Sequence, residues 1–180
     1  MTTRNDTDIL SAMRKNQESG FQLLMAKYKE AIYWHIRRLV VSHADAQDAT
    51  QETFVRIFRS FNQLKDDASL TAWVYRIATN EALRLLKRWK NERDSLENSD
   101  NSLYKMAADS YVDYSDLETI RLQQAILTLP TKQQLAFNLR YYNELGYDEI
   151  ATITDSTPES IKSNYHIAKG KVIKYMNLNN

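Results

Sequence analysis

No cysteine occurs among the 180 residues, which excludes a disulfide framework and any cysteine-ligated metal site. Glycine and proline are scarce, at 3 and 2, so hairpins and tight turns have few residues to build on. No stretch alternates apolar and polar residues long enough to make a strand. An all-α protein is therefore expected. Long apolar runs are missing too, since none approaches the roughly 20 residues that cross a bilayer. The opening "MTTRNDTDILSAMRKNQ" lacks the basic-then-apolar order of a secretory signal. A cytoplasmic protein with no membrane insertion is expected. His35, His43 and His166 are scattered without metal-ligand spacing, and no glycine-rich phosphate loop or nucleophile motif occurs. No catalytic residue, metal or cofactor is expected, and the chain is not read as an enzyme.

An excess of one charge is also absent: 24 basic residues face 23 acidic ones, a net charge of +1. That balance argues against a protein that grips nucleic acid unaided, because tight nonspecific binding needs many neutralised phosphates. The charge is nevertheless segregated. Residues 92 to 118 hold eight acids against Arg93 and Lys105, whereas the stretch before them and the end of the chain are basic. With its serines and asparagines this acidic segment reads as a linker, and it divides the chain into residues 1–93, 94–117 and 118–180.

Helical spacing runs through most of the remainder. Residues 6 to 42 place Phe21, Leu24, Met25, Tyr28, Ile32, Ile36 and Leu39 at three- and four-residue steps, and these belong to a core. In "DAQDATQETFVRIF" and the residues after it, Phe54, Ile57, Phe58 and Phe61 share one side. Asp45, Asp48, Glu52, Arg56 and Arg59 share the other. The polar side is open to two readings, a solvated face with a Glu52–Arg56 pair or a surface for a partner. A connector with a cap at Ser69 leads to a long helix from about Leu70 to Trp89. There Arg76, Asn80, Arg84 and Lys87 form a narrow stripe that would follow a phosphate backbone, although a solvated face has the same spacing. Asn62, Lys65 and Asp66 in the connector offer groups for the hydrogen-bonding edge of an unpaired base. Trp34, Trp73 and Trp89 are expected in the core.

Past the acidic segment, Ile120, Leu122, Ile126 and Leu129 mark a helix, and Pro130 starts another. A short helix with Ile150, Ala151 and Ile153 then meets the turn "TDST", and Thr157-Pro158 supplies a cap and a first helical proline. This is a helix-turn-helix pattern. On its last helix Ile161, Tyr165, Ala168, Val172 and Met176 form the buried stripe. Thr157, Glu159, Lys162, Ser163 and His166 lie at the outward N-terminal end, where a recognition helix presents its readers of base edges. A helical hairpin with a solvated face is the plainer alternative. Gly170 should cost that helix about 1 kcal/mol relative to alanine.

Taken in order, these segments resemble an extracytoplasmic-function sigma factor of bacterial RNA polymerase, in the sigma-70 superfamily. "DAQDATQETFVRIFRSF" is similar to the family's region 2.2, and "LTAWVYRIATNEALRLLKR" to regions 2.3 and 2.4. The stretch from "LTLPTKQQ" through "YDEIA" to "SIKSNYHIAKGKV" is similar to region 4. The resemblance covers roughly residues 21 to 93 and 118 to 176. It implies two small helical domains joined by an acidic linker, the C-terminal one a helix-turn-helix. It makes the core RNA polymerase and promoter DNA the partners, and leaves an anti-sigma factor open as a further one. Asp45, Asp48, Gln51 and Glu52 would then meet the polymerase clamp helices, and region 4 would pack on the flap. Asn62, Lys65, Asp66, Trp73, Arg76, Asn80, Arg84 and Lys87 would contact the minus-10 element. Thr157, Glu159, Lys162, Ser163 and His166 would read the minus-35 element. Asn164 and Ile167 stand where the family commonly has arginines, and Asp155 replaces the usual glycine of the turn. The alternatives are a free-standing helix-turn-helix regulator whose N-terminal helices dimerise or sense a signal, and a helical adaptor that touches no DNA.

Overall fold

A single asparagine separates the first two helices of the computed structural model, which describes residues 5–40, 42–65, 68–94 and 117–178. α1 (Asp6–Lys15) ends at Asn16, whose side chain then accepts from the Ser19 amide at 3.0 Å and starts α2 (Gln17–Val40). Gly20 permits the close crossing. A Cβ placed there would lie 2.2 Å from the Met13 nitrogen and 2.4 Å from its Cα. The crossing buries Ile9 and Met13 of α1 beside Leu24, Tyr28, Ile32 and Ile36 of α2.

α3 (His43–Ser60) is capped by Ser42, whose hydroxyl accepts from the Asp45 amide. It buries Ala46, Ala49, Thr53, Phe54 and Ile57, and a 3-10 turn over Phe61–Gln63 buries Phe61. α4 (Leu70–Asp94) begins at the expected cap, with the Ala72 amide donating to the Ser69 hydroxyl at 3.2 Å. It continues beyond Trp89 because "KNERD" contains no glycine or proline to stop it. The N-terminal ends of α1 and α4 are tied to α2 by one carboxylate. Asp6 accepts from Lys27 at 2.5 Å, Tyr28 at 2.8 Å and Thr71 at 2.9 Å. Burial alone would raise the Asp6 pKa, but these three donors outweigh it and hold the group below its ordinary value of 3.8.

Two apolar expectations are corrected here. Trp34 is 41% exposed, because it lies two residues from both Ile32 and Ile36 and so faces away from the stripe they define. It packs edge-on against Tyr33 instead. Phe58 is 39% exposed, because beyond an edge-to-face contact with the Phe21 ring it faces the open groove between α2 and α3. Trp73 and Trp89 are half-buried on α4.

The described helices fall into two compact units, α1 to α4 and those that follow residue 116. In the second unit α5 (Leu117–Leu127) is followed by α6 (Thr131–Tyr141), whose entry is set by Pro130. α7 (Tyr147–Thr154) and α8 (Pro158–Leu178) complete it. Ala125, Ile126, Leu129, Phe137, Ala168 and Val172 form a shared core, with Leu122, Tyr165 and Met176 packed against it. α8 runs through Gly170 without a break. Among the described residues the chain contains no strand and no helix long and apolar enough to cross a membrane. Residues 95–116, nearly all of the expected linker over 94–117, lie outside the described residues.

Candidate functional site

The polar edge of α3 borders an open groove of about 1430 Å³ between α2 and α3. Phe21, Met25, Phe54, Val55 and Phe58 supply its apolar floor, and Asp48 and Gln51 stand on its wall. Both are exposed. Asp45 and Glu52 are half-exposed and do not line the groove. Asp45 sits in the capped first turn, where its carboxylate complements the helix dipole. Glu52 turns along the helix and accepts from Arg56 at 3.2 Å, which makes the expected i,i+4 pair real. The arrangement offers a partner an apolar slot with the Asp48 carboxylate and the Gln51 amide among its lining.

On α4 the expected stripe is present. Arg76, Asn80, Arg84 and Lys87 are all exposed, while Val74, Ala78 and Ala82 on the other side are buried. Trp73 stands half-buried one turn before them. Asn62 and Lys65 of the preceding connector are exposed, Asn62 on the 3-10 turn, and Asp66 lies outside the described residues. One residue of this surface escaped the reading of the sequence. Glu81, between Asn80 and Ala82, is only 4% exposed and meets Arg56 of α3 and Arg84 of α4, each at 2.5 Å. The spacing of Glu81 and Arg84, three residues apart on one helix, was the available signal.

Behind the stripe, His35 of α2 is fully buried and shares a 2.9 Å hydrogen bond with the Thr79 hydroxyl of α4. Burial, aided by the nearby Arg38 charge, pushes its pKa down to about 3, so the ring is neutral near pH 7. It is a structural histidine that braces α4.

In the second unit, α7 and α8 form the turn that the sequence implied. The Thr157 hydroxyl accepts from the Ser160 amide at 3.2 Å, Pro158 is the first residue of α8, and Ile161 is buried. Asp155 takes the left-handed conformation, φ 54° and ψ 53°, that glycine would adopt more cheaply. Glu149 accepts from the Gly146 amide at 3.1 Å and Arg140 lies over the Tyr147 ring, fixing the start of α7. Thr157 at the cap and Glu159, Lys162, Ser163 and His166 on the first turns of α8 are all exposed. Asn164 bends back to donate to the Ser160 carbonyl at 3.0 Å, and Ile167 is 47% exposed. A helix presented this way fits a nucleic-acid groove, with Lys162 as its one cation among these positions.

Comparison with known proteins extends this geometry. The sigma-70 region 2 family model matches residues 24–92, and the sigma-70 region 4 model matches residues 119–172. Together these cover well over half of the chain. The RNA polymerase sigma-H factor of Pseudomonas aeruginosa is 26% identical over 183 residues, covering 97% of this chain and 95% of that factor. The ECF RNA polymerase sigma-E factor of Escherichia coli K12 is 26% identical over 167 residues, covering 88% and 87%. Among solved structures, the sigma factor RpoE in complex with the anti-sigma factor NepR from Bartonella quintana aligns with a TM-score of 0.74 at 21% identity. That alignment covers 89% of this chain and 98% of the other. CnrH in complex with the cytosolic domain of CnrY gives 0.72 at 16% identity, covering 97% and 99%. At such identities the structural likeness speaks for the fold.

Proposed function

Because the chain belongs to the sigma-70 family, in its extracytoplasmic-function class, we propose that its two units divide polymerase docking and promoter reading between the named faces. The protein is a transcription initiation factor that directs RNA polymerase to promoters. In this reading residues 1–93 are the region 2 domain, 94–117 the linker and 118–180 the region 4 domain. Asp45, Asp48, Gln51 and Glu52 of α3 dock on the clamp helices of the core polymerase, and the second unit packs on the flap. The connector and the α4 stripe, from Asn62 to Lys87, capture the minus-10 element. Thr157, Glu159, Lys162, Ser163 and His166 read the minus-35 element. The factor works in the cytoplasm, and an anti-sigma protein is a fitting regulator, since RpoE and CnrH were each solved with a bound partner.

The observation that supports this division is the presence, on one small unit, of two unlike faces. An acidic edge borders an apolar groove on α3, and an exposed basic stripe runs along α4. Energetics agree. Opening stacked DNA costs about 1.4 kcal/mol per step, more over several steps than a chain of net charge +1 supplies from a few phosphate contacts. The polymerase therefore contributes melting energy and performs nucleotide addition, and this chain contributes specificity and strand capture. A free-standing helix-turn-helix regulator is not favoured, because the region 2 match spans residues 24–92, outside the helix-turn-helix.

The double substitution Asp48→Ala and Glu52→Ala tests the docking face. Neither side chain is in the core, and Arg56 keeps Glu81 as a partner, so stability should change by less than about 1 kcal/mol. Affinity for core polymerase should fall about tenfold or more. Undiminished affinity in the folded double variant would remove this face from the interface.

A further inference from the structure

Arg84 belongs to the exposed stripe of α4, yet its guanidinium is already paired with a carboxylate. Its Nη2 donates to Glu81 Oε2 at 2.5 Å. The other carboxylate oxygen of Glu81 meets Arg56 Nε at 2.5 Å, and Arg56 in turn lies 3.2 Å from Glu52. Four side chains thus form an unbroken chain, Glu52, Arg56, Glu81 and Arg84, from the acidic edge of α3 to the basic stripe of α4. The two ends reach solvent, with side chains 43% exposed for Glu52 and 59% for Arg84. Glu81 between them is at 5%.

That difference in burial decides how the chain responds to a perturbation. A buried carboxylate is costly unless it is paired, so Glu81 must keep at least one guanidinium. Arg56 keeps its nearer contact with Glu81 and a longer one with Glu52, so Glu52 draws off part of its charge and Glu81 leans on Arg84 for the rest of its neutralisation. An arginine paired with a buried carboxylate is a weaker phosphate ligand, because the carboxylate offsets its charge and competes with phosphate for its donors. A cationic group that takes Glu52 away returns Arg56 wholly to Glu81. Arg84 is then released.

We propose that Glu81 is a positioning residue that holds Arg84 back from DNA in the unaccompanied chain and frees it when a cationic partner surface engages Glu52. Polymerase docking on α3 and phosphate binding on α4 are then coupled, and by linkage each strengthens the other. The inference rests on the docking and DNA faces assigned under Proposed function and adds a device that joins them.

The test measures binding of a labelled duplex of arbitrary sequence to the full chain across a salt series, with and without core polymerase. In the chain alone, Arg84→Ala should leave affinity and salt dependence unchanged. In a Glu81→Gln background the same substitution should reduce the slope of log affinity against log salt by about 0.9, the value of one phosphate contact. Glu52→Gln, at a half-exposed position that carries little folding risk, should also unmask the Arg84 contribution, because it frees Arg56 for Glu81. With polymerase bound, Arg84→Ala should lower the slope without any second substitution. Equal Arg84 contributions in the chain alone and in the polymerase complex would overturn the proposal, as would a masked Arg84 in both the Glu81→Gln and Glu52→Gln backgrounds. The chain-alone comparisons need no polymerase. They decide the network independently, and failure of the chain to bind polymerase would overturn the docking reading instead.

Discussion

Replacing Gly20 with alanine sets two physical effects against each other, and the structure says which wins. Within a helix, alanine is favoured over glycine by about 1 kcal/mol, so propensity alone predicts a more stable protein. The crossing predicts the reverse. A Cβ at this position would stand 2.2 Å from the Met13 nitrogen and 2.4 Å from its Cα, atoms of the α1 backbone that cannot rotate away. If α1 stays docked, such overpacking costs about 1–3 kcal/mol. If α1 lifts off, the burial of Ile9 and Met13, now 0% and 2% exposed, is lost. Each is worth roughly 1.5–3 kcal/mol, partly offset by the freedom α1 regains. Because the clash is with backbone, the upper end of the overpacking range applies, and after the helix-propensity gain a net loss of about 2 kcal/mol remains. Tryptophan fluorescence during urea unfolding reports it cleanly, because Trp34, Trp73 and Trp89 all lie in the first unit. A variant as stable as the parent, or more so, would refute the close crossing.

The buried His35 makes the first unit sensitive to acid. Its pKa is 6.5 when unfolded and about 3 when folded, so below pH 6.5 the unfolded chain binds a proton that the folded one refuses. Stability should fall by about 1.4 kcal/mol per pH unit over that window, roughly 2 kcal/mol between pH 6.5 and about pH 5. Unfolding midpoints read by tryptophan fluorescence should show the slope in the parent and lose it in His35→Leu; a parent with no slope would contradict the burial. Gly170 is the opposite case to Gly20. It lies inside α8, and a Cβ added there would meet nothing within 4 Å, so Gly170→Ala should stabilise the second unit by about 1 kcal/mol, read as a higher far-ultraviolet circular dichroism midpoint. An unchanged or lower midpoint would mean that the position is not open.

Local patterns were the legible part of this sequence. Three- and four-residue spacing located the helices, Ser69 and Thr157-Pro158 marked two starts, and the arc of Arg76, Asn80, Arg84 and Lys87 is exposed as its spacing implied. Periodicity identifies a face but not what covers it. For that reason spacing alone puts Trp34 and Phe58 in the core, whereas both are substantially exposed. Contacts between distant segments left no local trace. Asp6 meets Thr71 across 65 positions and His35 meets Thr79 across 44. Glu81 reads as one more surface charge until α3 brings Arg56 to its second oxygen. The acidic edge of α3 was visible as a pattern, whereas the groove beside it exists only once α2 and α3 pack.

A chain that directs RNA polymerase to promoters must bind the core enzyme. Gel filtration of the purified protein mixed with bacterial core polymerase from its own organism tests it most directly. Co-elution of the chain with the core enzyme is the predicted result. Elution of the chain at its own position, beside core enzyme shown to be active, would contradict it.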